Sequence, residues 1–164
     1  MKKLFFYACL FSSYCLGAAA QTTISSPSSS TVAFSTNNQI ITIAAGGNIT
    51  KTASPSAVTS NGLTGIQLIV NTNSGQGISN SDTDSSAIEI NGGTLQNLTL
   101  NTGRITSAAD NFIGTISIQN VVGNNSITTV SGTTISNTST NLSSLINIDG
   151  ISTGNLEITN ARNS

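Results

Sequence analysis

The strongest constraint on the fold is an internal repeat in the second half of the chain. The segment SAIEINGGTLQNLTLNTGRI, which begins at Ser86, aligns with SLINIDGISTGNLEITNARN, which begins at Ser144, and a more divergent unit, TISIQNVVGNNSITTVSGT, lies midway between them. The identical pairs are Ser86/Ser144, Ile88/Ile146, Ile90/Ile148, Gly92/Gly150, Asn97/Asn155, Leu98/Leu156 and Arg104/Arg162. The repeat therefore has a period of about 29 residues, and a fixed period of about 20 to 50 residues is typical of solenoids and other repeat folds.

Each repeat contains short segments with the pattern apolar-x-apolar. Successive side chains of a β-strand point to opposite faces, so this spacing places two aliphatic side chains on one face. Asn, Gly and Asp bound these segments, as expected of turns, and no segment follows the helical period of about 3.6 residues over three turns. We expect the following aliphatic residues to be mostly buried: Ile88, Ile90, Leu98, Leu100, Ile116, Ile118, Ile146, Ile148, Leu156 and Ile158.

A unit of about 29 residues with two or three short strands has the size of one coil of a parallel β-solenoid. The sequence therefore predicts an all-β chain whose residues 39–164 form a parallel β-solenoid (β-helix) of about four coils. Strand 88–90 is expected to pair in parallel with strand 116–118, and the latter with strand 146–148. Because strand 116–118 falls one residue out of step with the flanking units, we expect a bulge or loop adjustment there.

Two columns of polar residues follow the same period. Our interpretation is that each column marks one turn in successive coils, where Asn tolerates a left-handed backbone and stacked amides hydrogen-bond along the stack. Chance is the alternative, because Asn is common in this chain. The first column is Asn61, Asn91, Asn120 and Asp149, and the second is Asn71, Asn101, Ser131 and Asn160.

Residues 1–20 have the pattern of a secretory signal peptide. Lys2 and Lys3 form a basic start, an apolar stretch follows over residues 4–16, and Ala18–Ala20 supply the small residues that signal peptidase requires. The apolar stretch is shorter than the roughly 20 residues that span a bilayer. We therefore expect export through the Sec pathway and a mature chain that begins near Gln21.

The alternative for the N-terminus is a lipoprotein signal anchored at Cys15. This alternative is disfavoured because the bulky Tyr14 stands where a lipoprotein signal has a small residue. After the predicted cleavage site, residues 21–38 are rich in Ser and Thr and contain one Pro, a composition that predicts a linker or a loose cap.

The mature chain lacks Cys, His, Trp, Tyr and Met, and its only aromatic residues are Phe34 and Phe112. Catalysis through His or a thiol is thereby excluded, and a transition-metal site or stabilising disulfides are not expected. The segment GGNITK lacks the Lys-Ser/Thr ending of a phosphate-binding loop. Three cations against six anions leave a net charge of −3, which does not attract nucleic acid or an anionic membrane.

Two pairs of carboxylates are candidate sites. Asp82 and Asp84 have the i, i+2 spacing of oxygen ligands for Ca²⁺, but no EF-hand or calcium-binding β-roll pattern surrounds them, so a solvated loop is the prediction. Asp149 and Glu157 would be the pair of a glycosidase. Their positions in a turn column and on the outward face of a strand instead predict structural roles.

The two periodic arginines, Arg104 and Arg162, are expected to form one stripe with a salt-bridging or solvated role rather than a carboxylate-binding one. The sequence thus predicts no catalytic, cofactor-binding or metal-binding residue.

A signal peptide followed by Asn-, Ser-, Thr- and Gly-rich repeats such as SAIEINGGTLQNLTLNTGRI resembles the passenger region of a bacterial autotransporter or a related β-helical surface adhesin. The resemblance covers roughly residues 39–164. It implies a secreted or cell-surface, non-enzymatic protein of a Gram-negative bacterium, whose partner is a host surface, a glycan or a neighbouring cell. Such proteins end in a membrane β-barrel that this sequence lacks. The resemblance is therefore to the N-terminal part only, as expected of a truncated gene, a fragment or a small secreted relative.

Two other functional hypotheses stay open. Polysaccharide lyases and hydrolases also use parallel β-helices, so fold alone does not separate them from adhesins. With only three cations to bind substrate carboxylates, a lyase is the less favoured hypothesis. The chain would alternatively be a nonfunctional remnant of a longer passenger. Under each of these hypotheses, an open sheet edge at the end of the stack would favour edge-to-edge self-association of two copies.

Overall fold

The computed structural model describes residues 18–110, 113–130, 132–141, 143–151 and 154–161, and it is a parallel β-solenoid. Nearly all of the predicted signal peptide lies outside the described residues, so its cleavage stays a prediction. Phe112, Ser131 and Arg162 also lie outside them.

Short strands separated by tight turns make up the solenoid. The described strands are β1 Gln21–Ile24, β2 Pro27–Ser28, β3 Val32–Ala33, β4 Ile40–Ile43, β5 Asn48–Lys51, β6 Val58–Asn61, β7 Ile66–Asn71, β8 Gly77–Asn80, β9 Ile88–Asn91, β10 Leu95–Thr102, β11 Arg104–Ser107, β12 Ile116–Gln119, β13 Asn125–Val130, β14 Thr134–Asn137, β15 Ile146–Asp149 and β16 Leu156–Ala161.

Each coil contributes one strand to each of three sheets. The first sheet has the order β1-β4-β7-β10-β13-β16, the second β2-β5-β8-β11-β14 and the third β3-β6-β9-β12-β15. All pairings among these described strands are parallel, including the predicted pairing of Ile88 with Ile116 and of Ile116 with Ile146. The coils β4–β6, β7–β9, β10–β12 and β13–β15 are the four predicted for residues 39–164.

Ordered coils extend further toward the N-terminus than the repeat predicted. Residues 21–38 were expected to form a linker or cap, and in the structure they contain β1, β2 and β3. These strands pair with β4, β5 and β6 respectively. Residues 21–38 therefore form a first, shorter coil, which covers one side of the coil β4–β6.

Columns of aliphatic side chains fill the narrow interior. In the first sheet Ile41, Leu68, Leu98 and Ile127 lie one above another, and each is at most 1 % exposed. Burying one such side chain contributes about 1.5 to 3 kcal/mol. Because the interior of a single coil is open on both sides of the stack, this burial requires the neighbouring coils.

The second sheet adds an interior column that no apolar-x-apolar pattern marks in the sequence. Ile49, Ile78 and Ile105 are directly paired and fully buried, and Ile135 continues the column half-buried. Each of β5, β8, β11 and β14 has a single inward aliphatic residue. The pattern apolar-x-apolar is therefore absent, although the spacing of the isoleucines follows the coil.

Two of the ten aliphatic residues predicted to be buried are exposed. Ile148 is 43 % exposed and Ile158 is 52 % exposed, whereas six are at most 1 % exposed. Ile146 and Leu156 are partly buried against the core. Ile148 and Ile158 point inward but lie on β15 and β16, and no strand among the described residues pairs with the far side of either. Burial here depends on a coil on each side, which the alternation of one strand does not reveal.

The first polar column is correct for Asn61 and Asn91, which are paired, but wrong by one residue at Asn120. The partner of Asn91 is Gln119, which also pairs with Asp149. Asn120 instead has the backbone position that glycines occupy after β6, β9 and β15, with a left-handed φ of 51°. Its amide donates to Asn91 Oδ1 at 3.1 Å, so amide contacts between coils do occur. Because β12 keeps its register with β9 and β15, the adjustment predicted near Ile116 lies in the loops.

The second polar column is wrong where the structure describes it. Asn71 pairs with Thr102 rather than Asn101, and Asn160 pairs with Thr129. Asn160 is displaced because 31 residues, rather than the expected 29, separate it from its partner in a regular register. At Asn71 the cause is irregular pairing of β10 with β7, with a register shift between Leu100 and Thr102. A bulge adds a residue to one strand, so residues at a constant sequence spacing no longer lie opposite each other.

Candidate functional site

A row of hydroxyl side chains runs across the outer face of the second sheet. Thr50, Ser79, Thr106 and Ser136 are directly paired in successive coils. They alternate with the buried isoleucines of the same strands, so they face outward. Strands in a sheet lie about 4.8 Å apart, and this hydroxyl column therefore presents uncharged hydrogen-bonding groups at a regular spacing.

The first sheet has a shorter row of the same kind. Thr99, Thr128 and Thr159 are directly paired on its outer face, and Ile69 follows Thr99 on the other side. Beside this row, Gln67 Nε2 donates to Gln96 Oε1 at 3.2 Å, an amide contact between adjacent coils. Two sheets of the solenoid thus have outer faces built mainly from neutral polar side chains.

A cleft of about 270 Å³ lies where the first sheet turns into the second. Its walls come from the turns after β7, β10 and β13, which stack in successive coils. Each turn has a glycine with a left-handed backbone, with φ of 80° at Gly75, 95° at Gly103 and 85° at Gly132. Thr102 Oγ1 donates to the Thr72 carbonyl at 2.6 Å and joins two of the turns. We refer to this feature as the corner cleft.

Arg104 lines the corner cleft from the start of β11. Its backbone is held by pairing with Gly77 and by donation of its N–H to the Gln76 carbonyl at 2.9 Å. The side chain is exposed, and within the part of the chain that the structure describes its guanidinium has no ion pair. No acidic residue is among the described residues that line the cleft. The stripe predicted from Arg104 and Arg162 is untested, since Arg162 lies outside the described residues.

The Asp82 carboxylate stabilises a loop through hydrogen bonds and is not a free ligand for a cation. Its Oδ1 accepts from the Asp84 N–H at 2.9 Å and from Ser85 Oγ at 3.1 Å, and its Oδ2 accepts from the Ser54 N–H at 3.0 Å. Ser54 belongs to the preceding coil, so the carboxylate ties two loops together. Within the described ranges, no group of three or more Asp, Glu, His or Cys side chains gathers where a metal ion would bind.

Asp149 and Glu157 are placed in different sheets. Asp149 ends β15 of the third sheet, and Glu157 lies on β16 of the first sheet, both exposed. Glu157 alternates with Leu156 and Ile158, as predicted for an outward strand residue, and its Oε1 accepts from Thr159 Oγ1 at 3.2 Å. The structure therefore gives each carboxylate a separate position on the surface.

Asp110 carries no sequence motif, yet its carboxylate links two coils. It accepts a hydrogen bond from the Ser139 hydroxyl and another from Asn141 Nδ2 at 2.7 Å. These bonds favour the ionised form, the Ser139 bond most, and they lower the pKa of Asp110 against a smaller opposing effect of desolvation. Ser139 follows Asp110 at the spacing of one coil, and this spacing was the only sequence feature that pointed to the contact.

Among the described residues, no helix has the length and apolar character of a membrane span. The sequence matches no protein-family model, and no curated protein or solved structure is significantly similar to it.

Proposed function

We propose that this protein is an exported, surface-exposed and non-enzymatic binding protein, similar in role to the passenger region of a bacterial autotransporter. The observation that supports this function best is the hydroxyl column, Thr50, Ser79, Thr106 and Ser136, held in register by the second sheet. Each of these residues follows an isoleucine on the same strand, and that isoleucine packs in the interior and holds the strand in place. The outer side chains are thus presented on a rigid base at low cost in conformational entropy.

Binding through such a surface is the sum of many weak contacts. A neutral hydrogen bond exchanged with water contributes about 0.5 to 1.5 kcal/mol. Repeated contacts along an extended ligand add avidity without any single strong site. The natural ligand of a regular row of hydroxyls is itself a regular polar chain, so we assign the partner to the glycans of a host surface or a neighbouring cell.

The positions of the carboxylates support a binding role over a polysaccharide hydrolase or lyase. Most glycoside hydrolases use a pair of carboxyl groups, one on each side of the bond that is cleaved. Asp149 and Glu157 lie in different sheets, and Asp82 and Asp110 already accept hydrogen bonds that tie loops together. The proposed function therefore assigns no catalytic role to them.

The proposed function is tested by binding to cells and to immobilised glycans at low and high salt. Binding that rests on neutral hydrogen bonds should persist when salt is raised, because little of it is electrostatic. The double variant Thr106→Val, Ser136→Ala should weaken this binding severalfold, since it removes two hydroxyls of the column with little change in shape. Thr59→Val on the outer face of the third sheet is the matched control and should leave it unchanged.

The enzyme alternative is tested on a panel of acidic and neutral polysaccharides. We expect no product release from any of them. Turnover that disappears in an amide variant of Asp82, Asp84, Asp149 or Glu157 would refute the proposal in favour of a hydrolase or lyase. Binding to cells that collapses at high salt would refute the role given to the hydroxyl column.

A further inference from the structure

The corner cleft combines one cation with uncharged hydrogen-bonding side chains. We propose that it binds one carboxylate-bearing sugar residue of an acidic polysaccharide. The inference rests on the proposed function, since it names the ligand class that a glycan-binding solenoid would recognise at this position. It gives Arg104 the specific role of pairing with the sugar carboxylate.

The charge of the cleft selects a carboxylate. Arg104 is the only charged residue among the described residues that line it, and the carboxylates described elsewhere lie on other parts of the surface. A guanidinium forms two parallel hydrogen bonds with a planar carboxylate. A single cation neutralises one negative charge, which matches a sugar carboxylate better than a phosphate dianion.

The remaining polar side chains suit sugar hydroxyls. In the described part of the chain, the side chains of Ser74, Asn101 and Thr134 line the cleft without a hydrogen bond to other protein groups. They provide hydroxyl and amide groups that both donate and accept. The joined turns at Thr72 and Thr102 keep this arrangement rigid, so little entropy is lost when a ligand binds.

The size and surroundings of the cleft favour one residue of a longer chain. Its volume of about 270 Å³ is close to the lower limit of about 300 Å³ for small-molecule sites. Thr106 and Ser136 follow Arg104 and Thr134 by two positions on the same strands, so they lie on the same outer face. A polysaccharide seated in the cleft would therefore continue along the hydroxyl column.

Isothermal titration calorimetry with trigalacturonate tests the assignment, and its fully methyl-esterified form is the matched ligand with no charge. The purified protein should bind the acid and bind the ester at least about tenfold more weakly, as expected for loss of a charged hydrogen bond. Arg104→Gln should reduce affinity for the acid by a similar factor. Arg104→Lys keeps the charge but cannot form two parallel hydrogen bonds with the carboxylate. Its affinity for the acid should lie between those of the parent and of Arg104→Gln. Lys51→Gln removes a cation of the same sheet outside the cleft and should have no effect.

The inference would be overturned by no binding of the acid, by equal binding of acid and ester, or by unchanged affinity in Arg104→Gln. Inorganic phosphate that competes as well as the acid would also overturn it, by marking a general anion site. None of these results bears on salt-tolerant binding to cells, which is measured separately. Failure at the cleft is thus distinguishable from failure of the proposed function, which the hydroxyl-column variants test.

Discussion

At the scale of single residues, the core depends on alternation along each strand, with most inward side chains aliphatic and most outward ones polar. Ile118 illustrates the inward position, since it is fully buried and lies between Ile90 and Ile148 of the adjacent coils. Thr50 illustrates the outward position on an equally short strand, where it is exposed. The two residues provide a matched pair for testing what the interior tolerates.

We expect Ile118→Asp to unfold the protein or lower its free energy of unfolding by several kcal/mol. The carboxylate would be buried in an aliphatic column without a partner, and uncompensated desolvation has a cost of this size. Thr50→Asp should change the free energy of unfolding by less than about 0.5 kcal/mol, as is usual for surface substitutions. Circular dichroism during thermal and urea denaturation measures both. An Ile118→Asp variant as stable as the parent would show that this side chain faces solvent.

Residue-scale predictions from the sequence were most accurate where a residue has a coil on both sides. Ile88, Ile90 and Ile116 are buried as predicted, because alternation and stacking both act on them. Ile158 obeys the alternation yet is 52 % exposed, since burial also requires a neighbour on its far side. Arg104 was expected to be solvated or paired. The corner cleft that gives it a binding role forms only when three turns stack.

At the scale of elements, the turns determine how closely the coils approach. Gly62 and Gly93 follow the third sheet in adjacent coils with nearly equal left-handed φ values of 69° and 72°. A Cβ added at Gly62 meets no atom within 4 Å, whereas one added at Gly93 would lie 1.9 Å from the Leu63 carbonyl oxygen. The two glycines therefore separate backbone strain from contact between coils.

Gly62→Ala should lower the free energy of unfolding by about 1 to 2 kcal/mol, the usual cost of a left-handed L-residue. Gly93→Ala adds a clash with the backbone of the preceding coil, at Leu63, so we expect a markedly larger loss. Urea denaturation of the two variants gives the comparison. If both alanines had the same effect, contact at Gly93 would not limit the approach of the coils.

The sequence revealed elements where two aliphatic residues mark a strand and missed them elsewhere. In the second sheet, β5, β8, β11 and β14 have one inward isoleucine each and β2 has none, too little to distinguish a strand from a loop. The shift between Leu100 and Thr102 likewise left no trace in the sequence, because a bulge depends on how two strands pair. Parallel pairing itself was predictable, because equivalent strands that recur at a regular spacing of one coil stack in the same direction. A β-hairpin does not generate a repeat of that length.

At the scale of the whole molecule, each coil contacts only the coil before and the coil after it. Ile41, Leu68, Leu98 and Ile127 occupy one interior position in four successive coils, although their spacing along the sequence varies from coil to coil. The loops absorb the differences while the strands keep their register. Stability is then approximately a sum over coils and the interfaces between them.

Deletion of residues 68–97 should therefore leave a folded, shorter solenoid. The deletion removes one coil and places Leu98 where Leu68 packs on Ile41, with Leu100 in place of Val70. We expect a retained β-type circular dichroism spectrum and a lower midpoint of thermal unfolding. Deletion of residues 83–97, half a coil, should abolish cooperative unfolding, because later strands would meet the wrong sheet. Equal behaviour of the two deletions would contradict stacking as the source of stability.

The perpendicular arrangement of strands and stack has a mechanical consequence. One coil adds only about 4.8 Å to the length of the stack, yet its chain extends to roughly 100 Å when straightened. Tension applied between the two ends loads the hydrogen bonds of the outermost strand one after another, as in a zipper. An anchored solenoid of this kind would lengthen in discrete steps under drag, and the coils that are still folded would keep their binding surface.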